Sequence, residues 1–146
     1  MSPLRPGIDG ELLWRRHENP VSVWWFVLLY PVFVLAIYRR SLSLGGVVVC
    51  SLAANALAVP PPNTDDAWAT RVVRGERAWL DRGVFTAPVD LACVAVGGVV
   101  NLWTLRAAVN RRPVATVVGS VASLALMFLF FDRMAAHYDA TTDFRA

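Results

Sequence analysis

Four long apolar blocks, separated by short polar segments, dominate the pattern of hydrophobic and polar positions. They cover residues 21–38, 42–59, 88–109 and 114–131. The apolar core of each block has about 18 residues, at the short end of what a helix needs to cross roughly 30 Å of hydrocarbon. Strands and soluble core helices are shorter than this or alternate with polar positions. The pattern therefore predicts four transmembrane helices.

Prolines mark most of the boundaries between these blocks. Asn19 is a favoured N-cap, and Pro20 fits the first helical position, where its missing N–H has no partner. The third block begins near Pro88 and the fourth after Pro113, while three consecutive prolines at 60–62 end the second block. The first and third connections are only tight turns, so we predict two helical hairpins with both termini on the same side.

The one long connection, residues 63–87, contains a further predicted helix over about residues 65–80. Trp68, Val72 and Trp79 recur at helical spacing, and arginines lie mainly around the other side. Such a helix either lies in the headgroup plane or packs across the ends of the spans. The predicted fold class is thus all-α: a single membrane domain, built as an integral membrane four-helix bundle with an interfacial amphipathic helix between spans two and three.

Composition supports the bilayer as solvent. Of the 146 residues, 56% are hydrophobic and 17% charged, with a mean hydropathy of +0.47, whereas soluble domains have about 25% charged residues. All 14 basic residues are arginines, which excludes catalytic and phosphate-loop lysines. The net charge of +3 does not indicate nucleic-acid binding, because the arginines lie at the ends of apolar blocks rather than along one soluble face.

Arginine counts predict the orientation. With four spans, one side holds both termini and the 63–87 connection; we call it the motif side, and the side with the two tight turns the turn side. The turn side carries five arginines (Arg39, Arg40, Arg106, Arg111 and Arg112) and the motif side carries the other nine. The positive-inside rule then places both termini in the cytoplasm of a cell-membrane protein. Nearly all acidic residues are also on the motif side, so the turns have the stronger net positive charge.

Several classes of site have no pattern in the sequence. Cys50 and Cys93 both lie in apolar blocks, differ in predicted depth, and are interpreted as free thiols. Two histidines without ligand spacing predict no metal site, and no glycine-rich phosphate loop or GxSxG motif occurs. We therefore predict no cofactor and no metal. The polar residues before the first block do not resemble a cleavable signal peptide.

Three polar residues are predicted at membrane depth: Asn55, Asp90 and Asn101. Polar groups inside a bilayer are costly and are functional hypotheses by default. The two asparagines differ in depth by about 12–15 Å on antiparallel helices, so they are not expected to meet. Each is interpreted as a residue that joins helices through hydrogen bonds, and a place in a transport path is the alternative.

The motif side gathers the remaining candidates at one interface. A histidine, carboxylates and arginines at headgroup level can form a structural charge network, bind an anionic lipid, or perform acid–base work on a lipid. For the last of these, His17, Glu76 and Asp132 are the acid–base candidates. The predicted network comprises Arg15, Arg16, His17, Arg74, Glu76, Arg77, Asp132, Arg133 and His137.

Three segments carry a resemblance to a known family. They are residues 16–24 (RHENPVSVW), 75–80 (GERAWL) and 131–134 (FDRM), and the stretch 63–68 (NTDDAW) fits the same pattern. Together they resemble a family of small multi-span membrane proteins of bacteria and archaea that is catalogued only as a domain of unknown function. The resemblance covers about residues 11–140. It implies a membrane protein without assigned activity, and it places any activity on the motif side.

The sequence favours a non-enzymatic membrane protein over two alternatives. The favoured function is an accessory or assembly partner, or a lipid-interacting bundle, whose partners are membrane lipids and either other membrane proteins or further copies of the chain. The alternatives are a lipid-modifying enzyme working at headgroup level, and a subunit of a transporter or channel.

Overall fold

A computed structural model describes residues 14–63 and 67–143. Within these residues the chain forms helices and no strands, which confirms the all-α class. Residues 14–17 are helical, and a 3₁₀ turn, Val84–Thr86, precedes the fourth long helix. The long helices are α1 (Pro20–Arg39), α2 (Leu42–Ala58), α3 (Trp68–Arg82), α4 (Pro88–Val109) and α5 (Pro113–Asp143).

Three of these helices, α1, α4 and α5, are long and apolar enough to cross a membrane. Only 22%, 17% and 11% of their most apolar stretches are buried within the protein. Most of these stretches are therefore not buried within the protein, which suggests a membrane protein. The remaining apolar helix, α2, has 17 residues.

The starts of the helices follow from local chemistry. The side chain of Asn19 accepts a hydrogen bond from the N–H of Val21 at 2.9 Å and caps α1, with Pro20 in the first position. The hydroxyl of Ser41 accepts from the N–H of Leu44 at 3.3 Å and caps α2 in the same way. Helix α3 begins at Trp68, and the first residues of its predicted range (residues 65 and 66) lie outside the described residues.

Both tight turns use an arginine in the left-handed conformation. Arg40 and Arg111 each have φ 52°, a region that usually holds glycine at helix ends. At the first turn the N–H of Ser41 donates a hydrogen bond to the carbonyl of Ala36 at 3.0 Å. At the second turn the N–H of the residue after Arg111 donates to the carbonyl five residues before it, also at 3.0 Å. A guanidinium N–H of Arg40 donates to the carbonyl of Val109 at 3.3 Å, so the two turns lie beside each other.

Helix α5 organises the packing. It contacts α4 along the hairpin and α3 at its extended C-terminal half, while α1 packs between α2 and α4. Between α3 and α5 there is no room for a side chain at Gly75, because a Cβ there would overlap the carbonyl oxygen of Met134. Helix α2 packs mainly on α1 and is the edge of the assembly.

Helix α3 buries one face against the ends of the long helices. Val72 and Trp79 pack with Met134 and Ala135 of α5, and Val73 packs with Val23 of α1. Of the two sequence-based interpretations of this helix, the contacts fit a helix packed across the ends of its neighbours. Its position sets the geometry of the motif side.

Candidate functional site

The motif side is held together by residues that precede α1. The guanidinium of Arg16 donates to the last carbonyls of α2, at 3.1 Å to Ala56 and 2.9 Å to Leu57. Asn19 donates from its side-chain amide to the carbonyl of Pro60 at 2.9 Å. These bonds satisfy carbonyls that a helix C-terminus leaves without partners, and they fix residues 14–19 against the end of α2.

Glu18 links this segment to α3 and α5. Its side chain is largely buried, and its carboxylate accepts a hydrogen bond from Nε of Arg74 at 3.1 Å. Its backbone carbonyl accepts from the buried hydroxyl of Thr70 at 2.8 Å. The Arg74 guanidinium also lies over the Tyr138 ring, 5.9 Å from its centre. The sequence-based network did not include Glu18.

Asp90 is the most deeply buried charged group in this region. It lies in the first turn of α4 with no exposed surface. Its two carboxylate oxygens contact two residues of α5: Oδ1 accepts a hydrogen bond from Nε of Arg133, and Oδ2 lies 2.6 Å from Nε2 of His137. Arg133 and His137 are one helical turn apart, so a single carboxylate fixes the extended end of α5 to the start of α4.

A polar cavity of about 740 Å³ opens on the motif side. Residues 14–18, α3 and the end of α5 form its walls, and three hydroxyl-bearing side chains (Tyr138, Thr141 and Thr142) contribute to the α5 wall. Among the described residues that line it, four arginines outnumber two carboxylates, which gives this part of the lining a positive formal charge. The charged lining residues are Arg15, Glu18, Arg74, Arg77, Asp81 and Arg82.

His17 and Glu76 line a second cavity of about 350 Å³ whose other lining residues are apolar. Burial lowers the pKa of the His17 imidazole from its usual value of 6.5. Burial raises the pKa of the Glu76 carboxyl from its usual value of 4.5. Desolvation disfavours the charged form of both groups, so each shift is toward neutrality. All three segments that carry the family resemblance contribute to this cavity, through His17 and Val23, Glu76, and Phe131.

A third, smaller cavity of about 200 Å³ lies between the start of α1 and the end of α2. Arg16, His17, Ser22 and Asn55 provide its polar groups. Asn55 donates to the carbonyl of Ser22 at 3.3 Å, whereas its own side-chain oxygen is buried without a hydrogen-bond partner, as is Nε of Arg16. One unsatisfied donor and one unsatisfied acceptor beside the same space fit a bound water or hydroxyl group.

The two asparagines predicted at membrane depth have separate partners. Asn55 bonds the backbone of α1 through Ser22, and Asn101 accepts a hydrogen bond from the hydroxyl of Tyr30 at 3.0 Å. Both therefore join α1 to a neighbouring helix. Asp90, the third polar residue predicted at membrane depth, pairs with Arg133 and His137 of α5.

The structure divides the predicted network into several smaller groups. Arg74 pairs with Glu18, and Arg133 and His137 pair with Asp90, while Arg15 and Arg77 line the large cavity. Within residues 14–63 and 67–143, neither Glu76 nor Asp132 has an ion pair. Asp132 is exposed and does not line the cavity that His17 and Glu76 share.

Two further contacts were not identified from the sequence. Arg71 forms an ion pair with Asp139 of α5 at 2.9 Å, and Trp14 lies under the Arg77 guanidinium at 5.9 Å. Helical spacing could have placed Arg71 and Arg74 on neighbouring faces of α3. It could not have identified their partners, which lie more than fifty residues away in the sequence.

The described part of the chain has no cluster of metal-ligating side chains and no disulfide. No group of three or more histidine, cysteine, aspartate or glutamate side chains within it could hold a metal ion. Cys50 and Cys93 are free thiols.

Comparison with known proteins gives a family and no activity. No curated protein and no solved structure matches the chain. One family model matches residues 5–146, which is nearly the whole sequence. The protein is therefore a member of a family of unknown function, DUF6653.

Proposed function

We propose that the protein is a non-enzymatic, multi-pass protein of the cell membrane that binds anionic lipid on its motif side and serves as an accessory partner there. The proposal includes four spans: α1, α4, the apolar part of α5, and the shorter α2. Helix α2 is about 25 Å long at 1.5 Å per residue, and tight turns and flanking arginines let a short span meet the headgroups. Helix α3 packs across the ends of these spans, at the level of the headgroups.

The single observation that supports lipid binding is the arginine-lined cavity. Arg15 and Arg82 are exposed on its lining, and Arg74 is held in place by Glu18 and Tyr138. Guanidinium groups bind phosphate oxygens through paired N–H donors. The cavity lies where apolar helices end, which is the depth at which a bilayer presents phosphates.

Photo-crosslinking tests this site. The protein is reconstituted with a phosphatidylglycerol that carries a photoreactive headgroup, and crosslinked peptides are mapped by mass spectrometry. We expect adducts in residues 14–18 and 74–82. Each arginine near an anionic surface contributes about 1 kcal/mol, so the double variant Arg15→Gln/Arg82→Gln should bind about 30-fold more weakly.

The cavity also offers a control variant with the opposite expected effect on lipid binding. Asp81 lines it as an exposed carboxylate, so Asp81→Asn should strengthen phosphatidylglycerol binding at constant cavity shape. Equal crosslinking of phosphatidylglycerol and a phosphatidylcholine with the same reactive group would contradict the proposal.

The orientation is part of the proposal. Nine arginines on the motif side and five on the turn side favour cytoplasmic termini. The test places single cysteines at Ser43 and at Ala140 in a background without Cys50 and Cys93. In the proposed orientation, these two positions lie on opposite sides of the membrane of intact cells. We expect only the Ser43 position to react with a membrane-impermeant reagent.

The edge position of α2 supports the accessory role. Leu42, Val49 and Leu57 are exposed, and a Cβ at Gly45 or Gly46 would meet nothing within 4 Å. Small residues permit close helix approach once lipid replaces water. Crosslinking from Val49→Cys in native membranes should capture a membrane protein or a second copy of the chain, and Val99→Cys on α4 is the matched exposed control.

A second candidate function is acid–base catalysis on a lipid headgroup, and the shared cavity of His17 and Glu76 favours it. Burial shifts both pKa values toward the neutral forms, an uncharged imidazole and a protonated carboxyl, which are the forms that a general base and a general acid need. His17→Gln and Glu76→Gln should then each abolish turnover of a lipid found with the purified protein. Unchanged lipid composition in cells with and without the active protein would exclude this candidate.

A further inference from the structure

The turn side carries a second feature suited to a lipid, at the opposite end of the molecule from the arginine cavity. A groove of about 470 Å³ runs between α1 and α5. Tyr38 and Pro113 line its turn-side end, and Pro31 and Leu124 line its inner end. From Pro113 to Leu124 the groove follows α5 for about 16 Å at 1.5 Å per residue, which is close to the depth of one hydrocarbon leaflet.

The groove is chemically apolar along its length. Its two aliphatic hydroxyls are occupied within α5: Thr116 donates to the carbonyl of Arg112 at 2.7 Å, and Ser120 donates to the carbonyl of Thr116 at 2.8 Å. Its other side chains are mostly valine, leucine and proline. These hydroxyls have no proton left to donate to a polar ligand, whereas an acyl chain would bury apolar surface on both helices.

Two arginines are sequence neighbours of the residues that line the turn-side end of this groove. Arg39 follows Tyr38, Arg112 precedes Pro113, and both arginines are exposed. The sequence has no acidic residue between Glu18 and Asp65 or between Asp90 and Asp132. The arginines of the two turns therefore meet no carboxylate of their own segments, and an external anion is the complementary partner.

The left-handed position of each tight turn also holds an arginine. Arg40 and Arg111 occupy left-handed positions that cost a residue with a Cβ roughly 1–2 kcal/mol and cost glycine little. Glycine at either turn would relieve that cost and remove a charge. The chain instead places arginine at both.

We propose that the groove between α1 and α5 holds an acyl chain of an anionic phospholipid from the turn-side leaflet, with its phosphate at Arg39 and Arg112. The inference rests on the membrane-spanning arrangement and is independent of the cavity on the motif side. Tyr38, at the mouth, places an interfacial aromatic at the level of the lipid ester groups.

The test uses native mass spectrometry of the full-length protein with phosphatidylglycerol and phosphatidylcholine as probes, together with photo-crosslinking from a reactive acyl chain. The expected adducts lie in residues 31–38 and 113–124 and form with phosphatidylglycerol in preference to phosphatidylcholine. Arg39→Gln/Arg112→Gln should reduce these adducts about 30-fold and leave those at residues 14–18 unchanged. The reverse pattern is expected for Arg15→Gln/Arg82→Gln, so the two sites fail separately.

A groove-filling variant separates a built site from general surface charge. Val117 is 63% exposed and lines the groove, so Val117→Trp fills it without disturbing a core. Val99→Trp, at a residue that is 68% exposed on α4, is the matched control. Loss of turn-side adducts in Val117→Trp alone supports the proposal. Adducts that survive Val117→Trp, or that form equally with phosphatidylcholine, would overturn it.

Discussion

His137 lies 2.6 Å from the buried carboxylate of Asp90, across 47 residues of sequence. Arg133 contacts the other oxygen of the same carboxylate, so one acidic side chain in the first turn of α4 holds two residues of α5. The part of α5 beyond the apolar block forms one wall of the polar, arginine-lined cavity. The position of that wall therefore depends on Asp90.

Replacing Asp90 should loosen this end of α5. Removing one partner of a fully buried ion pair costs about 3–5 kcal/mol, and partial exposure of Arg133 and His137 reduces this to about 2 kcal/mol for Asp90→Ala. Asp139→Asn is the control, because its ion pair with Arg71 is partly exposed to solvent and should contribute about 0–1 kcal/mol. Unfolding midpoints in detergent would measure both. Equal effects would mean that Asp90 is not the anchor.

Gly75 should tolerate no side chain. A Cβ there would overlap the backbone of Met134, and relief requires α3 to move away from α5. Overpacking of this kind costs about 1–3 kcal/mol, so Gly75→Ala should lower the unfolding midpoint and weaken lipid binding at the cavity between these helices. Gly98→Ala is the matched control, with nothing within 4 Å of its Cβ. A stable Gly75→Ala variant with wild-type crosslinking would refute the close contact.

Local signals in the sequence predicted much of the fold. Asn19 caps α1, Pro88 and Pro113 begin α4 and α5, and each lies within one residue of a predicted boundary, because capping and proline chemistry act over a single turn. The all-α class followed from the apolar blocks. The position of α2 at the edge did not follow, since nothing in a uniformly apolar helix specifies which face contacts a neighbour.

The sequence named several residues of the candidate site but not their partners. It grouped Arg74, Arg133 and His137 in one predicted network at the ends of the apolar blocks. Their partners are Glu18 and Asp90, which lie more than forty residues away in sequence. Tertiary packing determines such pairs, and no periodicity in a single sequence encodes them.

The Glu76 carboxyl should make stability depend on pH. Burial raises its pKa in the folded protein above the usual value of 4.5, so the folded state holds a proton that the unfolded state releases. Folding stability should therefore fall as pH rises from about 4.5 through the higher folded-state pKa. Glu76→Gln removes this loss: the variant should match the wild type at pH 4 and exceed it at pH 8 in unfolding midpoint.

The exposed Asp132 provides the comparison for this pH experiment. Asp132→Asn removes a carboxylate that is exposed to solvent. The unfolding midpoint of this variant should follow that of the wild type across the same pH range. A Glu76→Gln protein that is less stable than the wild type at every pH would show that the carboxylate makes a favourable interaction, contrary to the shift toward neutrality.

Replacing Arg111 with glycine should stabilise the fold and weaken lipid binding. Its left-handed backbone favours glycine, so Arg111→Gly should raise stability by about 1 kcal/mol through relief of the Cβ contact. Arg111→Ala removes the same charge and keeps the Cβ, so it should bring no such gain. Both variants should bind phosphatidylglycerol about fivefold more weakly on the turn side, because Arg111 adjoins Arg112 of the proposed phosphate site and one arginine contributes about 1 kcal/mol. If Arg111→Gly gained stability and retained full binding, the turn arginine would have no part in holding the lipid, and the charge on this side would need another explanation.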